Sequence, residues 1–432
     1  MPKSLNKLFL IFFLVSFGLL CAQEISTQDN INEIKEFLKE NPDDLNARIN
    51  LGYNYMLDNK PLLAIREYRN VAEKDSSNLQ AWQGLLWAYN AQKSWNYTIT
   101  NSKKPMQLFP QDSSIKGFTA FAYWNSYNAL TAHKYYSQSL KLARQNNELL
   151  GQSMALEGLG WIYQSFDDYS LAYKSFEQAR IISNQTSVSY GMDLLNRVKL
   201  STSFSYSNLE NKKSAISANQ ALNYKRLSLH TGFEQFKIDG KRFRDAWSGG
   251  ISLQTSPFQI GVSGWSLDAK STTYPAHIYQ GYITEKYWLS DMLLQPTYRF
   301  AYSRYPEFNV YQNDLALSTT FRKTTVSVGA VRSQRDVESV GADETWWAYH
   351  AIISYPFYKG YIVSLSAGKG RQDWWVSPVG YIVDTSITNV KYLGNTLIIP
   401  LSKPVSMILY HQLGYKDDVW HYTGSFGLNV SY

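Results

Sequence analysis

The apolar residues of this chain follow two different periods, one in each half. From about residue 30 to 195 they recur at helical spacing, and from about 197 to the end they alternate with polar residues. Helical spacing puts apolar side chains on one face of a helix, whereas strict alternation puts them on one face of a strand. The switch predicts two domains, an α-solenoid over residues 23–195 and a β domain over residues 196–432.

The helical half contains a repeated pattern, and its clearest copy has a leucine–glycine pair, a tyrosine, an alanine, an aromatic residue and a second alanine. These signature residues are Leu159, Gly160, Tyr163, Ala172, Phe176 and Ala179. Earlier copies carry Tyr55 and Tyr89, which are one repeat length of about 34 residues apart. The pattern resembles the tetratricopeptide repeat, whose helix hairpins stack into a solenoid that binds other proteins. A helical spacer without a binding surface is the alternative.

The second half is predicted to form an antiparallel transmembrane β-barrel of 12 to 14 strands. Expected strands include 292–304, 310–322 and 361–368, where apolar residues alternate with small polar ones. Short and long linkers alternate between strands, as they do in outer-membrane barrels. The strand number stays open because residues 222–243 can hold one strand or two. A soluble β-sandwich is the alternative, and its outer face would carry more charge.

The first 22 residues have the pattern of a secretory signal peptide. Lys3 and Lys7 precede an apolar core over residues 8–20, and we expect cleavage after Ala22. Cleavage before Cys21, with lipid attached to that cysteine, is the alternative. Cys21 is the only cysteine, so a chain cut after Ala22 can form no disulfide and no thiolate metal site.

Composition and location narrow the function. Aromatic residues make up 15% of the chain, which fits the aromatic belts of a membrane protein. We therefore predict a protein of the outer membrane of a Gram-negative bacterium, in contact with the lipid bilayer and with its repeats in the periplasm. The formal charge of +7 does not indicate nucleic acid in an exported protein. No HExxH, GxSxG, P-loop or CxxC motif occurs, so we expect no cofactor, no metal and no catalytic site.

The alternation also predicts which basic residues face the barrel lumen. Arg226, Arg299 and Arg322 are expected to point inward, with Lys369 on the same inward face near the outer rim. A basic lumen would attract anionic solutes or an acidic polymer. Alternatively, these arginines pair with inward acids such as Asp314 and fill the barrel.

A tryptophan pair, Trp374 and Trp375, falls in an expected outer loop. Such a pair is suited to stacking on sugar rings, which predicts a glycan contact. Anchoring at the membrane interface is the alternative.

Several short stretches carry a family resemblance: Ser203-Phe204-Ser205-Tyr206-Ser207, Lys241-Arg242-Phe243, the strand with Arg299, and the aromatic last residue Tyr432. With them the barrel half resembles the YaiO-type outer-membrane barrel family, which implies the same fold but no settled activity. The order of repeats and barrel is similar to that of outer-membrane exporters of exopolysaccharides such as cellulose and poly-N-acetylglucosamine.

The exporters' repeat arrays are longer and their barrels larger than this chain allows. Their likeness still implies a function in secretion, with a protein partner on the repeats and a surface polysaccharide as cargo. A simple pore, a barrel enzyme that modifies lipid or glycan, and a purely structural anchor are the alternatives.

Overall fold

The computed structural model of the protein describes most of the chain after residue 26. The described residues are 27–183, 186–196, 198–209, 213–269, 275–336, 344–358, 361–371, 375–376, 382–383, 389–402, 405–416 and 419–431. The chain divides into two compact units, residues 1–158 and 159–432. The predicted signal peptide, Cys21 and Tyr432 lie outside the described residues.

The first unit is built from helix hairpins. A helix α1 over residues 27–40 leads into the others. These are α2 (Leu45–Leu57), α3 (Pro61–Lys74), α4 (Leu79–Ala91), α5 (Trp95–Asn101), α6 (Lys103–Leu108), α7 (Ser113–Asn125), α8 (Ala129–Gln145) and α9 (Leu149–Ser165), the last of which ends in the second unit.

Four of these helices, α2, α4, α7 and α8, begin at a side-chain cap. A side-chain oxygen of Asp44, Asn78, Asp112 or Asn128 accepts a hydrogen bond from the backbone N–H three residues further on. Such a cap satisfies one of the backbone donors that a helix start leaves without an intrahelical partner. The caps therefore fix where the repeated helices begin.

Small residues let neighbouring helices approach an aromatic ring. Tyr68 on α3 is buried, and its ring lies against both Gly52 and Gly84. A Cβ atom at Gly84 would come within 2.4 Å of the Tyr68 ring. Tyr136 lies against Gly158 in the same way. These contacts explain why the repeat pattern combines glycines with aromatic residues.

The second unit contains the end of α9, then α10 (Tyr169–Ile182) and α11 (Thr186–Asn196), and all the strands. The signature residues Ala172, Phe176 and Ala179 are fully buried here. The Phe176 ring lies against Gly160 on α9 and Gly191 on α11, so α11 covers the last repeat as the next repeat would.

The strands form a closed antiparallel barrel. They are β1 (Val198–Leu209), β2 (Lys213–Tyr224), β3 (Leu227–Ile238), β4 (Lys241–Thr255), β5 (Phe258–Ala269), β6 (His277–Glu285), β7 (Tyr287–Leu289), β8 (Met292–Arg304), β9 (Asn309–Phe321), β10 (Thr324–Asp336), β11 (Glu344–Tyr358), β12 (Tyr361–Arg371), β13 (Trp375–Val376), β14 (Ile382–Val383), β15 (Asn389–Ser402), β16 (Val405–Lys416) and β17 (Val419–Ser431).

Fourteen spanning strands make up the barrel within the described residues. β6 and β7 count as one, because both pair with β8, while β13 and β14 form a separate hairpin. The last strand pairs with the first, from Ser201 opposite Ser431 to Asn208 opposite Gly424, which closes the sheet. The predicted fold class, helical repeats followed by a transmembrane-type barrel, is confirmed at the upper end of its strand range.

One strand was not expected where it occurs. The sequence left the strand number open within 222–243, but the additional strand is β2, over Lys213–Tyr224. On its outward face only Ile216, Leu222 and Tyr224 are large and apolar, with Ser214, Ala218 and Gln220 between them. The alternation is therefore too weak to mark a strand by itself.

The two faces of the barrel differ as a membrane barrel requires. Outward positions carry exposed apolar side chains such as Val262 and Leu315. Inward positions carry small hydroxyl residues that pair across strands, including Ser318 with Ser327 at 2.7 Å and Thr284 with Thr297 at 2.9 Å. An apolar outer face and a polar inner face on a closed sheet define an outer-membrane-type barrel. None of the described helices is long and apolar enough to cross a membrane.

The two ends of the barrel have different connections. At one end, which we call the short-turn end, two-residue turns such as Lys225–Arg226 and Arg322–Lys323 join strands. The other end, the long-loop end, has longer connections such as residues 305–308. Both the first residue of β1 and the last of β17 lie at the short-turn end.

Candidate functional site in the barrel lumen and at its short-turn mouth

The structure separates the four predicted lumen residues. Arg299 on β8 points inward, as expected. Arg226 and Arg322 lie in two-residue turns at the short-turn end and are exposed, and Arg322 has a φ of 55°. The prediction that they face the lumen is wrong, because β2 ends at Tyr224 and β9 at Phe321, which leaves both arginines in turns.

Lys369 faces outward, which corrects its predicted orientation. It is exposed, and it lies on the face of β12 that also carries Val363 and Leu365. Its partners in the sheet are Tyr349 and Lys391, which are exposed too. Side chains alternate strictly along a strand, so a one-residue error in register moves a residue to the other face.

Arg299 forms an ion pair across the lumen wall. Its Nη1 atom lies 3.0 Å from Oδ2 of Asp314, directly opposite on β9. Both side chains are largely buried, at 18% and 7% exposure. The ring of His350 covers Gly329 on the intervening strand β10 and interacts electrostatically with Asp314. Arg299 therefore follows the alternative prediction, in which inward arginines pair with inward acids.

A second inward pair involves a residue that the sequence did not single out. Arg244 on β4 forms a salt bridge with Glu234 on β3, and only 1% of its side chain is exposed. Its guanidinium group lies 5.2 Å from the ring centroid of Phe236, in cation–π contact. Both of these inward arginines are therefore paired with a carboxylate on a neighbouring strand.

Inward glycines make room for rings from neighbouring strands. A Cβ atom at each of these glycines would come within 2.4 Å of the ring that covers it. The pairs are Gly250 with His230, Gly261 with Tyr282, Gly329 with His350, and Gly368 with Tyr392. The rings consequently lie against the wall of the lumen.

The opposite part of the wall has no charged group among its described side chains. In β12, β15, β16 and β17 the inward side chains that the structure describes include no charged group. They include Ser364 and Ser366 on β12 and the tyrosines Tyr392 and Tyr410. The lumen thus has a hydroxyl-rich sector beside a sector with paired charges.

The loop between α9 and α10 binds the inner wall at the short-turn mouth. Trp288 on β7 donates its indole N–H to the Asp168 carboxylate at 3.1 Å. Its ring meets the rings of Tyr163 and Phe166 edge-on, with centroids 4.9 and 5.2 Å away. The side chain of Asp168 is nearly inaccessible and also caps α10.

Further contacts support this loop. The Lys286 amino group donates to the backbone carbonyl of Phe166 at 2.7 Å. The amide side chain of Gln254 accepts from the backbone N–H of Tyr169 at 3.4 Å, and Lys199 lies over the Tyr169 ring. Gln254, Lys286, Trp288 and Lys199 all occupy inward positions of the barrel, so the loop binds the lumen side of the rim.

Burial changes the chemistry of the tyrosine in this contact. Desolvation, with a smaller effect from the nearby Asp168 carboxylate, raises the pKa of Tyr163 to about 12. The Tyr163 phenol is therefore neutral near neutral pH.

Neither a metal site nor the glycan contact can be placed. Among the described residues no group of three or more His, Cys, Asp or Glu side chains could hold a metal ion. Trp375 belongs to the small hairpin of β13 and β14, where it pairs with Val383. Trp374 lies outside the described residues, so the predicted glycan contact stays a prediction.

Known proteins resemble each part of the chain only in fold. No protein family matches the chain, and no curated protein is significantly similar to it. A tetratricopeptide-repeat protein of Thermus thermophilus is 14% identical, covering 41% of this chain and 95% of its own, with a TM-score of 0.34. A loop-deletion mutant of OmpT, an outer-membrane protein of Vibrio cholerae, is 9% identical over 55% of this chain and 98% of its own, with a TM-score of 0.34.

An anion-selective porin of Comamonas acidovorans is also 9% identical, covering 54% of this chain and 98% of its own, with a TM-score of 0.32. The resemblance to the YaiO-type family stays a prediction.

Proposed function

We propose that this protein is a non-enzymatic outer-membrane protein whose barrel fixes a periplasmic repeat domain to the membrane, where the repeats recruit a protein partner. The observation that carries the proposal is the binding of the α9–α10 loop to Trp288 and Lys286 on the inner wall of the barrel. A barrel that served only to conduct solutes would not need its mouth to bind the last repeat.

An exposed aromatic row supports partner recruitment. Tyr53 on α2, Trp87 on α4 and Phe121 on α7 occupy the same position in successive repeats, and Tyr53 and Phe121 are 51% and 42% exposed. The rings of Tyr53 and Trp87 are 6.2 Å apart. Exposed aromatic clusters are typical of protein interaction sites. Replacing Tyr53 and Phe121 by serine should abolish crosslinking to the partner in cells, whereas replacing exposed Leu62 on α3 should not.

Thiol labelling tests the orientation. A cysteine at exposed Lys241, the first residue of β4 at the long-loop end, should react with a membrane-impermeant maleimide on intact cells. A cysteine at exposed Leu62 should react only after the outer membrane is permeabilised. The unaltered chain is the control for any reaction at Cys21. The opposite pattern would refute a periplasmic repeat domain.

A second candidate function is favoured by the hydroxyl-rich sector of the lumen. Ser364, Ser366 and Tyr410 offer hydroxyl groups of the kind that hydrogen-bond to sugars, which suits export of an uncharged surface polysaccharide. Planar-bilayer conductance tests for an open path. A current that soluble oligosaccharide blocks would support export, and no current from folded protein would leave the anchor alone.

A further inference from the structure

Two lysines lie directly opposite each other on the outer surface of the barrel. Lys369 on β12 is the register partner of Lys391 on β15, and both side chains are exposed. Opposed residues of an antiparallel pair have Cβ atoms about 5 Å apart. The two ammonium groups can therefore reach one small ligand from both sides.

Within the described part of the outer surface, no carboxylate lies beside the lysine pair. On the outward face of β11, β12, β15, β16 and β17, the described side chains include no aspartate or glutamate. Arg242, at the same end of the barrel, differs because it lies 2.9 Å from both Asp245 and Asp268. Like charges directly opposite each other destabilise a sheet. An anion held between the two cations would offset that repulsion.

Aromatic residues place the lysine pair at the membrane interface. The row continues into Tyr349 on one side, which is 56% exposed, and Tyr415 on the other. Tyr415 in turn pairs with Trp420, at 5.0 Å between ring centroids. Four residues closer to the middle of the strand, about 13 Å away, Leu365 is 53% exposed and apolar. Aromatic belts mark the level of lipid headgroups.

We propose that Lys369 and Lys391 bind a phosphate group of a phosphorylated glycolipid in the outer leaflet. A phosphate monoester carries close to two negative charges near neutral pH, and its oxygens accept charge-assisted hydrogen bonds from both ammonium groups. The choice of the outer leaflet rests on the proposed orientation, in which the long-loop end faces outward. Lys369 was expected to attract an anionic solute inside the lumen. In this proposal it binds an anionic lipid on the outer face instead.

Lipid retention by the purified full chain tests the proposal. The protein in detergent is incubated with bisphosphorylated lipid A, with the same lipid A lacking both phosphates, or with phosphatidylglycerol, and bound lipid is counted by native mass spectrometry. We expect at least tenfold more bound bisphosphorylated lipid A than dephosphorylated lipid A. Equal retention of the two forms by the unaltered chain would overturn the proposal without any variant.

The double variant Lys369→Gln/Lys391→Gln should lose this preference for phosphate. The matched control, Lys225→Gln/Arg226→Gln, removes two cations from a turn at the short-turn end and should keep it. The heat-dependent gel shift of the barrel shows whether each variant is folded. A folded Lys369→Gln/Lys391→Gln chain with unchanged lipid A retention would also refute the site.

The same experiment separates this proposal from the orientation on which it rests. Retention of phosphatidylglycerol in preference to lipid A would refute a glycolipid as the ligand, even if the thiol labelling follows the expected pattern. Conversely, reversed labelling with intact lipid A preference in detergent would refute the orientation and leave the phosphate site in place.

Discussion

The contact between Trp288 and the α9–α10 loop should be the dominant attachment of the last repeat to the barrel. The substitution Trp288→Ala removes two edge-on ring contacts, with Tyr163 and Phe166, and the hydrogen bond to Asp168. It leaves the Lys286 hydrogen bond to the loop carbonyl in place. The loop should therefore detach from the barrel more often, but it should still rebind at the same place through Lys286.

The magnitude follows from these three interactions. Each aromatic pair contributes about 1 kcal/mol beyond the area that it buries, and a hydrogen bond to a buried carboxylate about 2 kcal/mol. Together they amount to about 4 kcal/mol, or roughly a thousandfold in the docking equilibrium, since each 1.4 kcal/mol is tenfold. Trp288→Phe keeps a ring but loses the indole donor to Asp168, so about half of this free energy should disappear.

Hydrogen exchange of the full chain in detergent measures the effect. Backbone amides of residues 163–171 should exchange up to a thousandfold faster in Trp288→Ala, and by a smaller factor in Trp288→Phe. The neighbouring Tyr287, which faces outward and is 44% exposed, supplies the control substitution Tyr287→Ala. Unchanged exchange in Trp288→Ala, or equal acceleration in Tyr287→Ala, would refute the attachment.

Three further predictions concern packing, pH and charge. Gly84→Ala should destabilise the helical unit by about 2 kcal/mol through overpacking against a buried ring, whereas Gly117→Ala, where the nearest atom is 3.4 Å away, should not lower the circular-dichroism melting midpoint. The pKa of Tyr163 is about 12 in the folded protein and about 10 in the unfolded chain. Its contribution to the free energy of unfolding is therefore complete below pH 10 and is lost as the pH rises through 12. Tyr163→Phe should abolish this pH-dependent loss, as measured by urea unfolding. Asp314→Asn should lower the barrel's unfolding free energy by about 3 kcal/mol, because it leaves Arg299 unpaired, and Asp314→Asn/Arg299→Met should restore part of it; no restoration would contradict the ion pair.

The sequence predicts the barrel well where each strand has one clearly apolar face. β8 and β9 follow the expected alternation almost to their ends, because large apolar residues such as Tyr298 and Leu315 occupy most of their outward positions. β2 was missed because serine, alanine and glutamine occupy half of its outward positions. Local patterns also cannot give the partner of the last strand, since pairing of β17 with β1 joins residues more than 200 positions apart.

Charged residues were harder to place than strands. Arg299 was predicted correctly because it lies in the middle of a strand, where the alternation is unambiguous. Arg226 and Arg322 lie in turns next to a strand end. The alternating pattern was continued a residue or two beyond the strand, and it therefore assigned these turn residues to the lumen. The residues of the mouth contact, Asp168 and Trp288, are 120 positions apart, so no local signal joins them.

The inner side of the rim suits this loop better than the outward face does. The loop carries two carboxylates, on Asp167 and Asp168, and the outward face at that level must contact lipid, where an unpaired charge is strongly disfavoured. The inner wall is polar, and Lys286 there is close enough to both carboxylates to attract them. Binding the loop from inside also leaves the outward belt of Tyr287 and Leu289 free to contact lipid. The attachment of the repeat and the insertion of the barrel therefore use opposite faces of the same strand, β7, and neither requirement weakens the other.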